Sequence, residues 1–211
     1  MNRRQFHTAM AAWVAGGWTA SQAIAAGQRP RRARSLPNIE VGTSGGQQMW
    51  TDVRYYFPWR IQRHALTGHY RLLDENDTRH AWGTLEACEQ EYQQTQQHKA
   101  DPAITGTVVL SLHGLFRSRR SMARIATFLR TNANWHVLNL SYASTRGSVA
   151  DHAKALGEVV DHLEGVDKIH FVAHSLGNLV IRRWINDSRD PDTNEITEKR
   201  HATCSEAVQG C

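Results

Sequence analysis

The sequence predicts an α/β fold: a mostly parallel sheet with crossover helices, preceded by an antiparallel hairpin. Two observations carry this. Residues 107–112, 135–140 and 168–173 are short apolar runs of buried-strand length, and a segment with helical apolar spacing follows each one. Strands and helices alternating in this order lay parallel strands side by side under a cover of helices. Ligands bind such sheets beyond the carboxyl ends of the strands, which directs attention to the residues just after Leu112, Leu140 and Ala173.

Residues 1–25 contain no acidic residue. They open on Asn2-Arg3-Arg4-Gln5-Phe6, pass through a mildly apolar stretch from Ala9 to Ala20 and end on Ala23-Ile24-Ala25, the layout of a signal peptide. The paired arginines followed by Phe6 resemble a twin-arginine export signal, and Gly16-Gly17 disfavours a permanent anchor. The expectation is export, periplasmic or secreted; the alternative is an ordinary helix of the fold. In an oxidising compartment Cys204 and Cys211 could close a small loop, and three cysteines leave at least one thiol unpaired.

Residues 26–48 read as a linker, Arg-rich and then punctuated by Pro37, Gly42 and Gly45-Gly46. A domain is expected over 49–185. It starts with two β-compatible segments, 59–64 and 69–73, around the turn signal Thr67-Gly68. Leu85, Cys88 and Tyr92 then recur at helical spacing up to about His98. After the first apolar strand, Met122, Ile125, Ala126 and Leu129 make one apolar helix face. After the second, Ser148 and Asp151 form a capping pattern that opens a helix with Val149, His152, Ala153, Leu156, Val160 and Leu163 on one side. A third helix is expected over 176–185, and 186–211 is a polar, irregular tail.

Composition excludes several classes. The 211 residues are 40% hydrophobic and 21% charged, too apolar for an acidic disordered chain. No apolar run approaches the roughly 20 residues that span a bilayer. The formal charge of +5 owes six arginines, Arg3, Arg4, Arg29, Arg31, Arg32 and Arg34, to the leader and linker; the remainder carries 19 basic against 20 acidic residues. Nucleic acid is therefore not an expected partner. Twelve histidines include no H-E-x-x-H or comparable spacing, so neither a metal nor another cofactor is expected.

The chemistry sits at the strand ends. After the third strand comes Ala173-His174-Ser175-Leu176-Gly177, a close variant of the G-x-S-x-G turn that lifts a serine hydroxyl out of a sheet. Small residues two before and two after the serine let strand and helix approach; Gly177 meets this fully and Ala173 with one extra methyl. The helix N-terminus then points at Ser175, and the Leu176 N–H is the natural first oxyanion donor. After the first strand comes His113-Gly114-Leu115, in which Gly114 lets the backbone turn. Here the chain resembles the α/β-hydrolase family, in particular its lipase and esterase branch, over about residues 104–185, with the preceding hairpin as the antiparallel start of the sheet, and the resemblance implies the Leu115 N–H as second oxyanion donor.

That resemblance implies a partial α/β-hydrolase fold, lacking the C-terminal strands, with Ser175 as nucleophile and a small-molecule or lipid ester as substrate. It implies that His113 holds the oxyanion loop by hydrogen bonds and that His174 packs rather than transfers protons. Tyr142, Ser144 and Thr145 follow the second strand and read as ordinary loop, with pocket lining as the alternative; His152 and His162 read as structural positions on a helix surface. A serine needs a histidine base and a carboxylate to orient it, and in this fold both follow the serine in the chain. Asp187, Asp190, Asp192 or Glu195 with His201 satisfy that order nominally, Asp190 and His201 being the pair carried forward, but they crowd into the polar tail. The reading is a serine ester hydrolase, with a truncated, catalytically inactive remnant or interaction module as the alternative. Loss of later strands would leave a sheet edge through which the chain could self-associate.

Overall fold

The computed structural model describes residues 41–43, 48–98, 104–133 and 135–189. It holds two sheets. The first is antiparallel, in the order β1-β5-β4-β3-β2, from β1 (Val41–Gly42), β2 (Trp50–Tyr56), β3 (Trp59–His64), β4 (Tyr70–Leu73) and β5 (Thr78–Gly83). The expected hairpin is β3–β4, with Ile61 opposite Leu72 in register and Gly68 in the turn at positive φ. Sequence reasoning left β2 and β5 unassigned because charged residues interrupt them: Asp52 and Arg54 flank a bulge in β2, and β5 reads Thr-Arg-His-Ala-Trp-Gly. Two residues of the segment read as a linker, Val41 and Gly42, pair with β5.

Helix α1 (Leu85–His98) closes one face of this sheet. Its Cys88 is fully buried among Val53, Trp59, Ile61 and Leu72, with Leu85 and Tyr92 packed alongside. Each such aliphatic side chain withdrawn from water contributes about 1.5–3 kcal/mol.

The second sheet is parallel, in the order β7-β6-β8, from β6 (Gly106–Leu112), β7 (His136–Leu140) and β8 (Val166–Ala173). The three predicted strands are these three. Period-two alternation splits their side chains between two cores. Leu110, Leu138 and Phe171 stand side by side and pack on α3 (Val149–Val160) and α4 (Leu176–Asp187) through Leu156, Val159, Ile181 and Trp184. Val109 and Val137 face the other way, onto Ala126 and Leu129 of α2 (Ala123–Ala133). Among the described residues β8 pairs with β6 alone.

Helix α3 begins where Ser148 and Asp151 predict: the Ser148 hydroxyl accepts from the Asp151 N–H and the Asp151 carboxylate accepts from the Ser148 N–H. Two helix-face expectations need correction. Met122 closes a short 3-10 helix (Arg119–Met122), and Ile125, 41% exposed, is not part of the buried stripe of Met122, Ala126 and Leu129. At about 100° per residue, Ile125 falls roughly 40° beyond the Leu129 edge of that stripe. His152, which spacing puts on the apolar side of α3 but which also reads as a helix-surface position, is 6% exposed, with its ring edge-on to Tyr142 at 5.0 Å, so the surface reading is the one that fails. It follows the N-terminal turn of α3 on the apolar side, so the face that buries Leu156 buries it too.

Beneath the antiparallel sheet lies a charged network that joins it to the parallel one. The Gln62 amide donates to Asp52 Oδ1 at 2.7 Å, and Arg71 donates twice to Gln62 Oε1. Arg60, 1% exposed, lies between Asp52 and Asp77, and Arg119 donates to the same Asp77 oxygen at 2.6 Å. Asp52 also bridges to the end of β7: its N–H donates to the Ser141 carbonyl at 2.9 Å and its Oδ2 accepts from the Ser141 N–H at 2.6 Å. Burial draws the Arg60 guanidinium below its ordinary pKa, and the two carboxylates beside it favour the charged form.

Candidate functional site

Ser175 stands between β8 and α4 with φ 51° and ψ −116°, a backbone conformation rare for a residue with a side chain, and it is exposed. The turn is held on both sides. The His174 N–H continues the parallel ladder to the Leu112 carbonyl at 3.0 Å, the Gly177 N–H donates to the His174 carbonyl at 3.0 Å, and the Asn178 N–H to the Ser175 carbonyl at 3.0 Å. The Asn178 side-chain amide donates back to the Ala173 carbonyl at 3.4 Å.

The small residues around the serine are needed by contact. A Cβ on Gly177 would stand 2.9 Å from the Leu112 carbonyl oxygen and 3.1 Å from the Ala173 Cβ. The loop after β6 closes in from the other side: a Cβ on Gly114 would stand 2.7 Å from His174 Nδ1 and 3.3 Å from the Ser175 Cβ. His174 is exposed, and its ring edge lies over Gly114. Leu115 follows within a turn that the Arg117 N–H closes on the Gly114 carbonyl at 3.1 Å, with Phe116 at φ 57° as its third residue. The Leu176 N–H opens α4 and has no helical acceptor four residues back, so it is open to an anionic oxygen.

A ring stack holds this loop. His113 is buried, its Nδ1–H donates to the Gly114 carbonyl at 2.9 Å, and its ring stacks on Tyr142 at 4.3 Å. Burial lowers the His113 pKa, which keeps the ring neutral, with Nδ1 protonated and Nε2 facing the Tyr142 N–H as acceptor at 3.5 Å. The Tyr142 hydroxyl donates to the His113 carbonyl, and burial raises its pKa. Ser144 and Thr145 donate to Gln48 Oε1 at 3.2 and 3.0 Å, and Gln48 Nε2 donates to the Arg117 carbonyl at 2.7 Å. Tyr142, Ser144 and Thr145 thus tie loops together.

Among the described residues no imidazole or carboxylate is hydrogen-bonded to Ser175. Among the described residues the Ser175 hydroxyl has no hydrogen-bond partner, and Asp187, exposed and bonded to Arg183 at 2.8 Å, ends α4 about 18 Å from the serine at 1.5 Å rise per residue. That distance removes Asp187 from the nominal acids. Asp190, Asp192, Glu195 and His201 lie outside the described residues, as do the leader, Cys204 and Cys211. His162 is exposed and bonded to the Glu158 carbonyl. No group of three His, Cys, Asp or Glu among the described residues is placed to hold a metal.

Sequence reasoning missed three supports: Gln48, Asn178 and Asp52. Asn178 was legible as the residue after Gly177 in the turn motif. Gln48 bonds partners 69 to 97 residues on and Asp52 bonds Ser141 89 residues on, and nothing local marks them. No protein-family model, no curated protein and no solved structure matches the chain.

Proposed function

We propose that the chain is a serine hydrolase of carboxylic esters, lipase- or esterase-like, with a partial α/β-hydrolase fold and an exported destination. The observation that carries the reading is the exposed Ser175 at φ 51° and ψ −116°, at the head of α4, with Gly114 packed against it. Ser175 Oγ attacks the acyl carbon and gives its proton to a base. The Leu176 and Leu115 N–H groups stabilise the tetrahedral oxyanion, the alcohol leaves with a proton, and water then releases the acid from the acyl-enzyme. The base is a histidine in the family's pattern; His201 is the one histidine of this chain that follows the serine. Self-association through the edge of β8 belongs to the same reading.

A second reading, a non-catalytic remnant or interaction module, is favoured by the absence of an imidazole partner for Ser175 among the described residues. Labelling by a fluorophosphonate probe separates the two. The hydrolase reading expects labelling of the folded chain that disappears in Ser175→Ala. A folded chain that stays unlabelled, and shows no ester turnover, belongs to the second reading.

A further inference from the structure

Residues 102–150 contain no Asp or Glu but six arginines. The structure sorts these by what they do. Arg119 is bonded to Asp77 and Arg130 to the Val137 carbonyl, whereas Arg117, Arg120 and Arg124, and Arg146 further on, are exposed and make no ion pair among the described residues. The same segment carries five of the large hydrophobic side chains left on the surface, four of them between Leu115 and Phe128 and the fifth Trp135. Leu115 and Phe116, in the loop whose Gly114 packs against Ser175, are 46% and 76% exposed, and Ile125 and Phe128 are 41% and 62% exposed one helical turn apart on α2. These four are additional to the stripe that α2 buries against Val109 and Val137. An exposed segment that combines unpaired guanidinium groups with bulky apolar side chains, and lacks any carboxylate, has the composition of a surface that enters a lipid headgroup layer.

We propose that the segment from Leu115 to Phe128 is a docking surface for anionic lipid bilayers. Arg117, Arg120 and Arg124 meet the headgroup phosphates, while Phe116 and Phe128 insert at the acyl boundary. Charge selects this occupant over a second copy of the chain, because a two-fold interface on this segment would bring three unpaired arginines of each copy towards the other three. The aliphatic Leu115 and Ile125 select it over a nucleic acid, whose bases stack on aromatic rings and whose phosphates need only the arginines. Docking here brings the Ser175 turn to the lipid surface, and it stands whether or not Ser175 is a nucleophile.

The test is vesicle co-sedimentation of the full chain, with Arg3, Arg4, Arg29, Arg31, Arg32 and Arg34 replaced by Gln so that the basic N-terminal run contributes nothing. The chain is expected to sediment with mixed phosphatidylcholine–phosphatidylglycerol vesicles and not with phosphatidylcholine alone, and added salt should weaken the binding. Replacing Arg117, Arg120 and Arg124 by Gln should weaken partitioning roughly a hundred-fold, and Phe116→Ser with Phe128→Ser at least about tenfold. Far-UV circular dichroism checks folding, and Phe128→Ser alone serves if the double variant unfolds. The proposal is overturned if the chain ignores the anionic vesicles, or if both sets of substitutions leave binding intact. It is also overturned if the phenylalanine variant only converts an oligomer to a monomer, or if a DNA duplex competes fully and the phenylalanines prove irrelevant. Vesicle binding needs no ester turnover, so failure of the hydrolase reading leaves this measurement unaffected.

Discussion

The Leu112 carbonyl oxygen lies 2.9 Å from the place a Gly177 Cβ would occupy, so the end of β6 and the first turn of α4 are packed backbone to backbone. Both obstacles, a carbonyl and the Cβ of Leu112 at 3.0 Å, belong to a buried strand and cannot swing aside. Gly177→Ala is expected to push α4 outward and destabilise the chain by about 1–3 kcal/mol. Urea denaturation measures that loss, and probe labelling of Ser175 should slow alongside it.

Ser175 holds a conformation that costs a residue with a side chain of order 1–3 kcal/mol. Ser175→Gly removes that strain but loosens the unfolded chain by about 0.5–1 kcal/mol. The net expectation is a gain of about 1 kcal/mol in stability, with all labelling lost. Ser175→Ala keeps the strain and should show no such gain, so the pair of thermal melts separates conformation from chemistry.

Gln48 connects the two loops beside the serine: it accepts from Ser144 and Thr145 and donates to the Arg117 carbonyl. With three hydrogen bonds at about 0.5–1.5 kcal/mol each, some of them solvent-accessible, Gln48→Ala should cost about 1–2 kcal/mol. The specific signature is faster amide exchange at Leu115, Phe116 and Arg117, with the protection of β6 unchanged. Unaltered exchange at these three amides would remove Gln48 from the support of the loop.

Asp52 is buried and accepts from Gln62 and the Ser141 N–H while facing Arg60. Asp52→Ala leaves a buried guanidinium short of one of its two carboxylates and should destabilise by about 3–5 kcal/mol. The joint between the two sheets would loosen first. Chemical denaturation of the variant, read with the Trp59 and Trp184 environments, tests this.

Burial depresses the pKa of His113 and of His152 below the ordinary 6.5. The unfolded chain therefore takes up protons, as pH falls through 6.5, that the folded chain still refuses, so stability falls on acidification and is restored above 6.5. The carboxylates of Asp74, Asp151 and Asp187, lowered from 3.8, add a separate loss only as pH falls through and below that value. A stability profile against pH should thus decline in two stages. The upper stage should shrink in His152→Phe, and a flat profile between pH 6.5 and 5 would contradict the buried-histidine account.

The sequence alone determined the elements whose side chains answer to one neighbour at a fixed period. The apolar runs became β6, β7 and β8, the Ser148–Asp151 box opened α3, and the hairpin turn fell at Gly68, because burial against a sheet or a helix imposes a spacing that is visible along the chain. It also located Ser175 and the need for Gly177, since a sharp strand-to-helix turn is a local demand. Only the tertiary structure decided the rest. Asp52 reaches Ser141 89 residues away and Gln48 reaches Arg117, Ser144 and Thr145 69 to 97 residues away, β2 tolerates charges because Asp52 meets Arg60 and Arg54 meets Glu89, β5 places His80 against Asp74, and the Tyr142 ring comes to lie edge-on to His152. Long-range pairing of polar groups has no periodicity, so it leaves no trace in sequence until folding brings the partners together.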